Sequence, residues 1–250
     1  MNDLPVTLFC LPYAGGNAHS YRPLTQALSS RVQARTLELP GRGVRGGEPL
    51  CRDMQALVDD VFAQLAPQAV KIPFALFGHS MGGLLAYLCA LRLRDAGLPA
   101  PRALFVSAQE APARRGAPPQ PPRHLLPDAA FLEMLRALGG CPDEVLAEPQ
   151  LMAYFTPILR ADFQAVDGWR HRPHRPLDVP LTVLLGEDDC VCEQAAAAWA
   201  EETHGRFALR RFPGGHFYIQ QHWSDLAELI AEQLAPAPRH AQVERKHTPA

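Results

Sequence analysis

Lysine is almost missing from this chain of 250 residues, occurring only at Lys71 and Lys246. Its scarcity excludes a Gly-x-x-x-x-Gly-Lys-Ser/Thr phosphate cradle and leaves no Ser-x-x-Lys dyad for Ser80. No stretch approaches the roughly 20 apolar residues of a spanning helix. The start, Met1-Asn-Asp-Leu-Pro5, has no basic segment leading into a long apolar one. A cytoplasmic protein without a membrane partner is expected. Excess charge is lacking too: the formal net charge of −2 gives nucleic acid or an anionic lipid surface nothing to bind. The six cysteines show no disulfide or zinc spacing. Cys190-Val-Cys192 has no second Cys/His pair to complete a metal clip, and His171-Arg-Pro-His174 lies in a basic, proline-containing loop. Free thiols, no metal and no cofactor are therefore expected.

What the chain does contain is one sizeable core's worth of apolar residues, 47% hydrophobic, without a break in composition that would divide it. The most telling stretch is Phe74-Ala-Leu-Phe-Gly-His-Ser-Met-Gly-Gly83, an apolar strand that breaks at a glycine-flanked serine and passes at once into the helical run from Leu84 to Leu91. In Gly-x-Ser-x-Gly the serine occupies a sharp strand-to-helix turn that exposes its hydroxyl, and the glycines allow strand and helix to cross closely. The N–H groups that open the helix and its dipole favour an anion beside the serine.

Strands are predicted at Val6–Leu11, Arg31–Leu39, Phe74–His79, Ala103–Ala108, Val179–Leu185 and Phe207–Phe212. Helices alternate with them. That from Asp53 to Leu65 puts Leu57, Val58, Val61, Phe62 and Leu65 on one face, and others run near Ala195–Thr203 and Trp223–Leu234. The alternation implies an α/β fold with a mostly parallel central sheet and helices on both faces. It is interrupted from about 111 to 174 by a proline- and arginine-rich stretch and helical patterns around Asp128–Leu138 and Asp143–Phe163. An insertion over the carboxyl ends of core strands is where a lid is expected. Residues 1–234 read as a single domain, and the polar segment 235–250 is expected to be disordered.

Ser80, an acid after a later strand and His216 in the Pro213-Gly-Gly-His loop follow the chain order Ser, Asp, His. His216 is the candidate base, and a carboxylate would hold its tautomer. Asp188 and Asp189 both qualify as that acid, with Glu187 more distant and Asp189 preferred. His79 adjoins the serine, yet its side chain is expected to point elsewhere. The backbone N–H of Met81 and that of Ala14, in the loop after the first strand, are the candidate oxyanion donors.

Together, Leu11-Pro-Tyr-Ala-Gly-Gly16, Leu39-Pro-Gly-Arg-Gly43, Phe77-Gly-His-Ser-Met-Gly-Gly83, Leu159-Arg-Ala-Asp-Phe163, Gly186-Glu-Asp-Asp189 and Phe212-Pro-Gly-Gly-His-Phe217 resemble the type II thioesterases that accompany nonribosomal peptide and polyketide synthases. The likeness runs from about Val6 to Leu234. It implies an α/β-hydrolase fold, a triad of Ser80, Asp189 and His216, an oxyanion hole at Ala14 and Met81, and hydrolysis of misprimed or stalled acyl groups from the phosphopantetheine arm of acyl or peptidyl carrier domains. Family members usually carry proline after the acid, where this chain has Cys190. Among them the chain looks most like those serving siderophore assembly, of the pyochelin type.

A long, narrow substrate calls for a channel between lid and core, with Leu132, Leu135 and Phe163 as lining candidates. Arg114, Arg115, Arg123, Arg170, Arg172 and Arg175 offer a cationic surface for an acidic carrier. A monomer is expected. A carboxylesterase or lipase, or an acyltransferase, would use the same triad, and an adaptor that binds carriers without catalysis is disfavoured by the intact Ser80 and His216.

Overall fold

The computed structural model describes residues 5–235; the tail expected to be disordered lies, from residue 236 on, outside the described residues. The chain runs β1 (Val6–Leu11), α1 (Arg22–Ala27), β2 (Val32–Thr36), α2 (Met54–Ala69), β3 (Phe74–His79), α3 (Met81–Asp95), β4 (Leu104–Ser107), α4 (Asp128–Leu138), α5 (Asp143–Leu146), α6 (Pro149–Gly168), β5 (Leu181–Gly186), α7 (Glu193–Ala197), β6 (Phe207–Phe212) and α8 (Trp223–Leu234). The six described strands form one sheet in the order β2-β1-β3-β4-β5-β6, every neighbouring pair parallel. β3, which leads into Ser80, is thus central.

Side chains alternate across a strand, so each strand feeds two cores. From β1, Phe9 and Leu11 join α2 and α3 on one face, while Leu8 and Cys10 pack with α1 and α8 on the other. α2 starts where Asp53 accepts the Ala56 N–H at 2.9 Å, an N-cap of the kind whose loss costs about 1 kcal/mol. Leu57, Val58, Val61 and Leu65 are buried along its inner face.

Parallel neighbours need a crossover, usually helical. Between β4 and β5 this is α6, whose Ala165 and Val166 belong to the main core. The segment from 111 to 174 is therefore of two kinds. Ala165 and Val166 near the end of α6 pack in the main core, whereas α4, α5 and another face of α6 build a satellite cluster of Phe131, Leu135, Leu146, Met152 and Phe163. No helix among the described residues is long and apolar enough to cross a membrane.

The tightest packing lies where α3 leaves β3. A Cβ on Gly78 would drive into the Gly82 carbonyl, and one on Gly82 into that of Leu11. These neighbours are backbone and have nowhere to turn. Gly82→Ala is expected to lower the melting temperature by several degrees, given an overpacking cost of about 1–3 kcal/mol and about 2–4 °C per kcal/mol for a chain of this size. Gly116→Ala, where a Cβ meets nothing within 4 Å, serves as the control and should melt with the parent. Calorimetry of the two variants checks this; a Gly82 variant as stable as the control contradicts it.

Candidate active site

The close crossing forces the backbone of Ser80 to φ 53° and ψ −121°, a left-handed conformation that costs a non-glycine residue about 1–3 kcal/mol. The turn is tied down by its own backbone: Ser80 N–H donates to the Ser107 carbonyl at 2.7 Å, and the Ser80 carbonyl accepts from Gly83 at 2.9 Å. The hydroxyl is thereby held over the carboxyl end of the sheet.

The loops after β5 and β6 bring two more side chains to it. His216 Nε2 lies 3.0 Å from Ser80 Oγ, and His216 Nδ1 lies 2.9 Å from Asp189 Oδ1. Asp189 Oδ1 also accepts the Val191 N–H at 3.1 Å, and its side chain is 0% exposed against 11% for His216. Asp188, the alternative acid, faces solvent, so the structure brings Asp189 rather than Asp188 to the imidazole. Burial disfavours charge on both partners. The hydrogen bond and attraction between them outweigh it, so the imidazole pKa is raised to about 9 and the carboxyl is held below its ordinary range. Cys190, which directly follows Asp189, is exposed; its sulfur and ligand atoms of Asp189 and His216 lie within 4.8 Å of one another. The thiol adds to the upward shift of His216.

His79 sits behind this pair. Its Nδ1 bonds Ser107 Oγ at 2.8 Å, and Ser107 Oγ in turn lies 2.7 Å from Tyr218 Oη, so the ring engages Ser107 and supports the site from below. Its centroid is 5.3 Å from that of His216. Burial, and then the neighbouring His216, push its pKa well down, which keeps His79 neutral.

Ser80, His216, Ala14 and Met81 border one cavity of about 610 Å³. Met81 opens α3, so its N–H has no carbonyl within the helix to serve, and among the described residues neither this N–H nor that of Ala14 donates to another protein group. Leu135 and Phe163 line the cavity, as do Leu138, Met152 and Phe155. Leu132 is not in its wall. One residue round the helix from Phe131, it packs into the satellite cluster of the inserted helices instead.

The arginines singled out in the sequence are mostly engaged. Arg115 stacks on Trp169 and donates to the Val166 carbonyl at 3.2 Å, and Arg123 pairs with the buried Asp167 and lies over the Phe163 ring. Arg114 pairs with Glu201 and Arg175 with Asp178, both at the surface, where such pairs are worth at most about 1 kcal/mol. Arg172 is exposed.

Other groups at the site are not apparent from the sequence pattern. Gln109, oriented so that both ends of its amide are satisfied, donates to the Ser80 carbonyl at 3.2 Å and accepts from Arg115 at 2.9 Å. Tyr13 packs edge-on against His79 and Phe217. Asp162 on α6 receives the Gly15 N–H at 2.8 Å, tying the loop that carries Ala14 to that helix.

Comparison with known proteins gives this arrangement a context. The sequence profile of the thioesterase domain matches residues 6–234. The gramicidin S biosynthesis protein GrsT of Aneurinibacillus migulanus is 35% identical over 228 residues, 91% of this chain and 88% of that protein. Among solved structures, the RedJ thioesterase from the prodiginine pathway of Streptomyces coelicolor superposes with a TM-score of 0.84 at 37% identity, covering 92% of this chain and 86% of its own. The type II thioesterase BorB from the borrelidin biosynthetic cluster gives 0.84 at 37% identity, with 94% and 97% covered. The sheet with helices on both faces is the fold of these neighbours. By the match along nearly all of its described length, the chain belongs to the thioesterase domain family and is a thioester hydrolase, akin to the type II thioesterases of natural-product assembly.

Proposed function

We propose that Ser80, His216 and Asp189 are the catalytic triad, and that the enzyme removes aberrant or stalled acyl groups from the phosphopantetheine arm of carrier domains. The observation that carries the reading is the unbroken relay from Ser80 Oγ through His216 to the buried side chain of Asp189 at the edge of an apolar cavity. Ser80 Oγ attacks the thioester carbonyl carbon as its proton passes to His216 Nε2. The carbonyl oxygen becomes an anion and accepts from the N–H groups of Ala14 and Met81, donors of a kind each worth about 2.7–4 kcal/mol. Collapse breaks the C–S bond, and the imidazolium returns its proton to the departing pantetheine sulfur. Water, deprotonated by His216, then attacks the acyl-serine and releases the carboxylic acid and free Ser80. Asp189 stays ionised throughout and stabilises the imidazolium.

The helices α4, α5 and the start of α6 act in this reading as the lid. The apolar wall formed by Leu135, Leu138, Met152, Phe155 and Phe163 suits an aliphatic acyl group. Acidic carrier surfaces compete for Arg114 and Arg175, whose present partners are exposed, and reach Arg172 directly.

A carrier domain bearing an acyl group on its arm, mixed with the enzyme and weighed by intact mass spectrometry, is expected to lose the acyl mass and keep the arm. Ser80→Ala should lower kcat at least about 10³-fold while carrier binding persists; undiminished turnover refutes the triad. Matched acyl thioesters and oxygen esters should differ in kcat/KM in favour of the thioester, and a strong ester preference would point to a carboxylesterase instead.

A raised base pKa has a definite sign. More of His216 is protonated at a given pH, and only the neutral ring can accept the serine proton. kcat/KM should therefore rise with pH along a limb centred above the ordinary histidine value of 6.5 and toward about 9. Asp189→Asn should move the limb to lower pH and lower its plateau, with a loss of about 10⁴ as in a triad deprived of its tautomer control. A parental limb at or below 6.5 contradicts the assignment.

A further inference from the structure

Two stretches that the family resemblance singles out, Leu39–Gly43 and Leu159–Phe163, have no task in the reaction just described, yet they meet in the interior. Arg42, 1% exposed, donates from Nη1 to Asp162 Oδ2 at 2.6 Å and from Nη2 to Oδ1 at 2.7 Å, and Asp162 is 0% exposed. The same Oδ2 accepts the Gly15 N–H at 2.8 Å, and Arg42 Nη1 reaches the Gly16 carbonyl at 3.3 Å. Gly15 directly follows Ala14.

Burying an ion pair is a poor way to gain stability, because well-packed apolar groups of similar volume often serve as well or better. Direction is what the pair adds. A guanidinium fork gripping both oxygens fixes the plane of a carboxylate. Here that carboxylate fixes the peptide unit between Ala14 and Gly15, which is planar and leaves only two soft torsions at Ala14. The Gly16 N–H closes the turn onto the Tyr13 carbonyl at 2.8 Å, holding the loop from its other side. Gly15, at φ +79°, lets the loop lie against Leu159 of α6, whose Cδ2 would be 2.6 Å from any Cβ placed there.

We propose that Arg42 and Asp162 are the positioning residues of the oxyanion loop: the α6 carboxylate, clamped by Arg42, aims the Ala14 N–H at the oxygen on which charge develops. The inference rests on the reading of Ala14 as an oxyanion donor. The pair touches no reacting atom; its effect reaches the reaction through one peptide group.

The test combines variants that remove the clamp with a ligand that reports the oxyanion hole. Arg42→Met with Asp162→Leu replaces the ion pair by apolar volume, and Asp162→Asn keeps the size and one acceptor oxygen for the Gly15 N–H while its NH2 cannot accept from Arg42, so the fork is broken and the carboxylate charge is lost. Each is assayed for hydrolysis of an acyl-pantetheine thioester and for inhibition by a trifluoromethyl ketone of the same acyl chain. Ser80 Oγ adds to the ketone carbon, its proton moves to His216, and the ketone oxygen becomes an anion facing the Ala14 and Met81 donors. A non-hydrolysable thioether of the same chain gives ground-state affinity.

The double variant is expected to fold with a melting temperature near the parent's. Its kcat should fall about 10- to 100-fold, part of the loss seen when an oxyanion donor is deleted outright. Ketone affinity should fall by the same factor, with KM and thioether affinity nearly unchanged. Should the double variant not fold, Asp162→Asn decides by the same readouts, with a loss of about 3- to 10-fold expected from a weakened rather than absent bond. Folded variants with unchanged kcat and ketone affinity overturn the inference. Ser80→Ala separates this from failure of the site itself: if it is inactive while the Arg42 and Asp162 variants keep full ketone affinity, the triad stands and the positioning role falls.

Discussion

One backbone contact sets the position of everything chemical in this protein: the crossing of β3 and α3 against the end of β1, where Gly78, Gly82 and the Leu11 carbonyl leave no room for a side chain. The contact fixes the path of the chain through Ser80 and holds it at φ 53°. Strain of this kind persists only when the surroundings over-determine it. Here they do, since β3 lies in the centre of a parallel sheet and α3 is buried along most of its length. Stability gathered in the core is applied as geometry at a single residue.

The second requirement is electrostatic. A base beside Ser80 would have to hold a proton temporarily, and the unexposed side chain of Asp189 makes the imidazolium favourable where burial alone would not. The neighbouring His79 shows the opposite outcome: more deeply buried than His216 and without a carboxylate partner, it stays neutral and engages Ser107. Two histidines with ring centroids 5.3 Å apart thus divide into one whose proton affinity is raised and one whose proton affinity is lowered. The division follows from the acidic neighbour of the one and the deeper burial of the other.

Much of this was legible in the sequence because the features are local. Buried parallel strands read as short apolar runs, and the elbow places a serine, two glycines and a following helix within ten residues. Longer-range facts were less accessible. Asp188 and Asp189 are adjacent, and only the path of the turn after β5 turns the second one inward. The helical pattern around Asp128–Leu138 does not say what each of its leucines meets: Leu135 borders the cavity, while Leu132 packs against the cluster of the inserted helices. α6 read as part of an insertion because no strand adjoins it in sequence, although its second half is the crossover between β4 and β5. Arg42 and Asp162 lie 120 residues apart and carry no local signature of pairing.

The central claim is that one alcohol, and no thiol, carries the acyl group. The cavity also borders Cys141, Cys190 and Cys192, and since an acyl group adds the same mass to a serine or a cysteine, the peptide that carries it distinguishes the two chemistries. Rapid quenching after mixing the enzyme with an acyl thioester, followed by peptide mapping of the trapped adduct, tests this directly. The account predicts a single acyl group on the peptide containing Ser80, stable to hydroxylamine at neutral pH as an oxygen ester. An adduct on a cysteine peptide, or turnover with Ser80 never acylated, would contradict it.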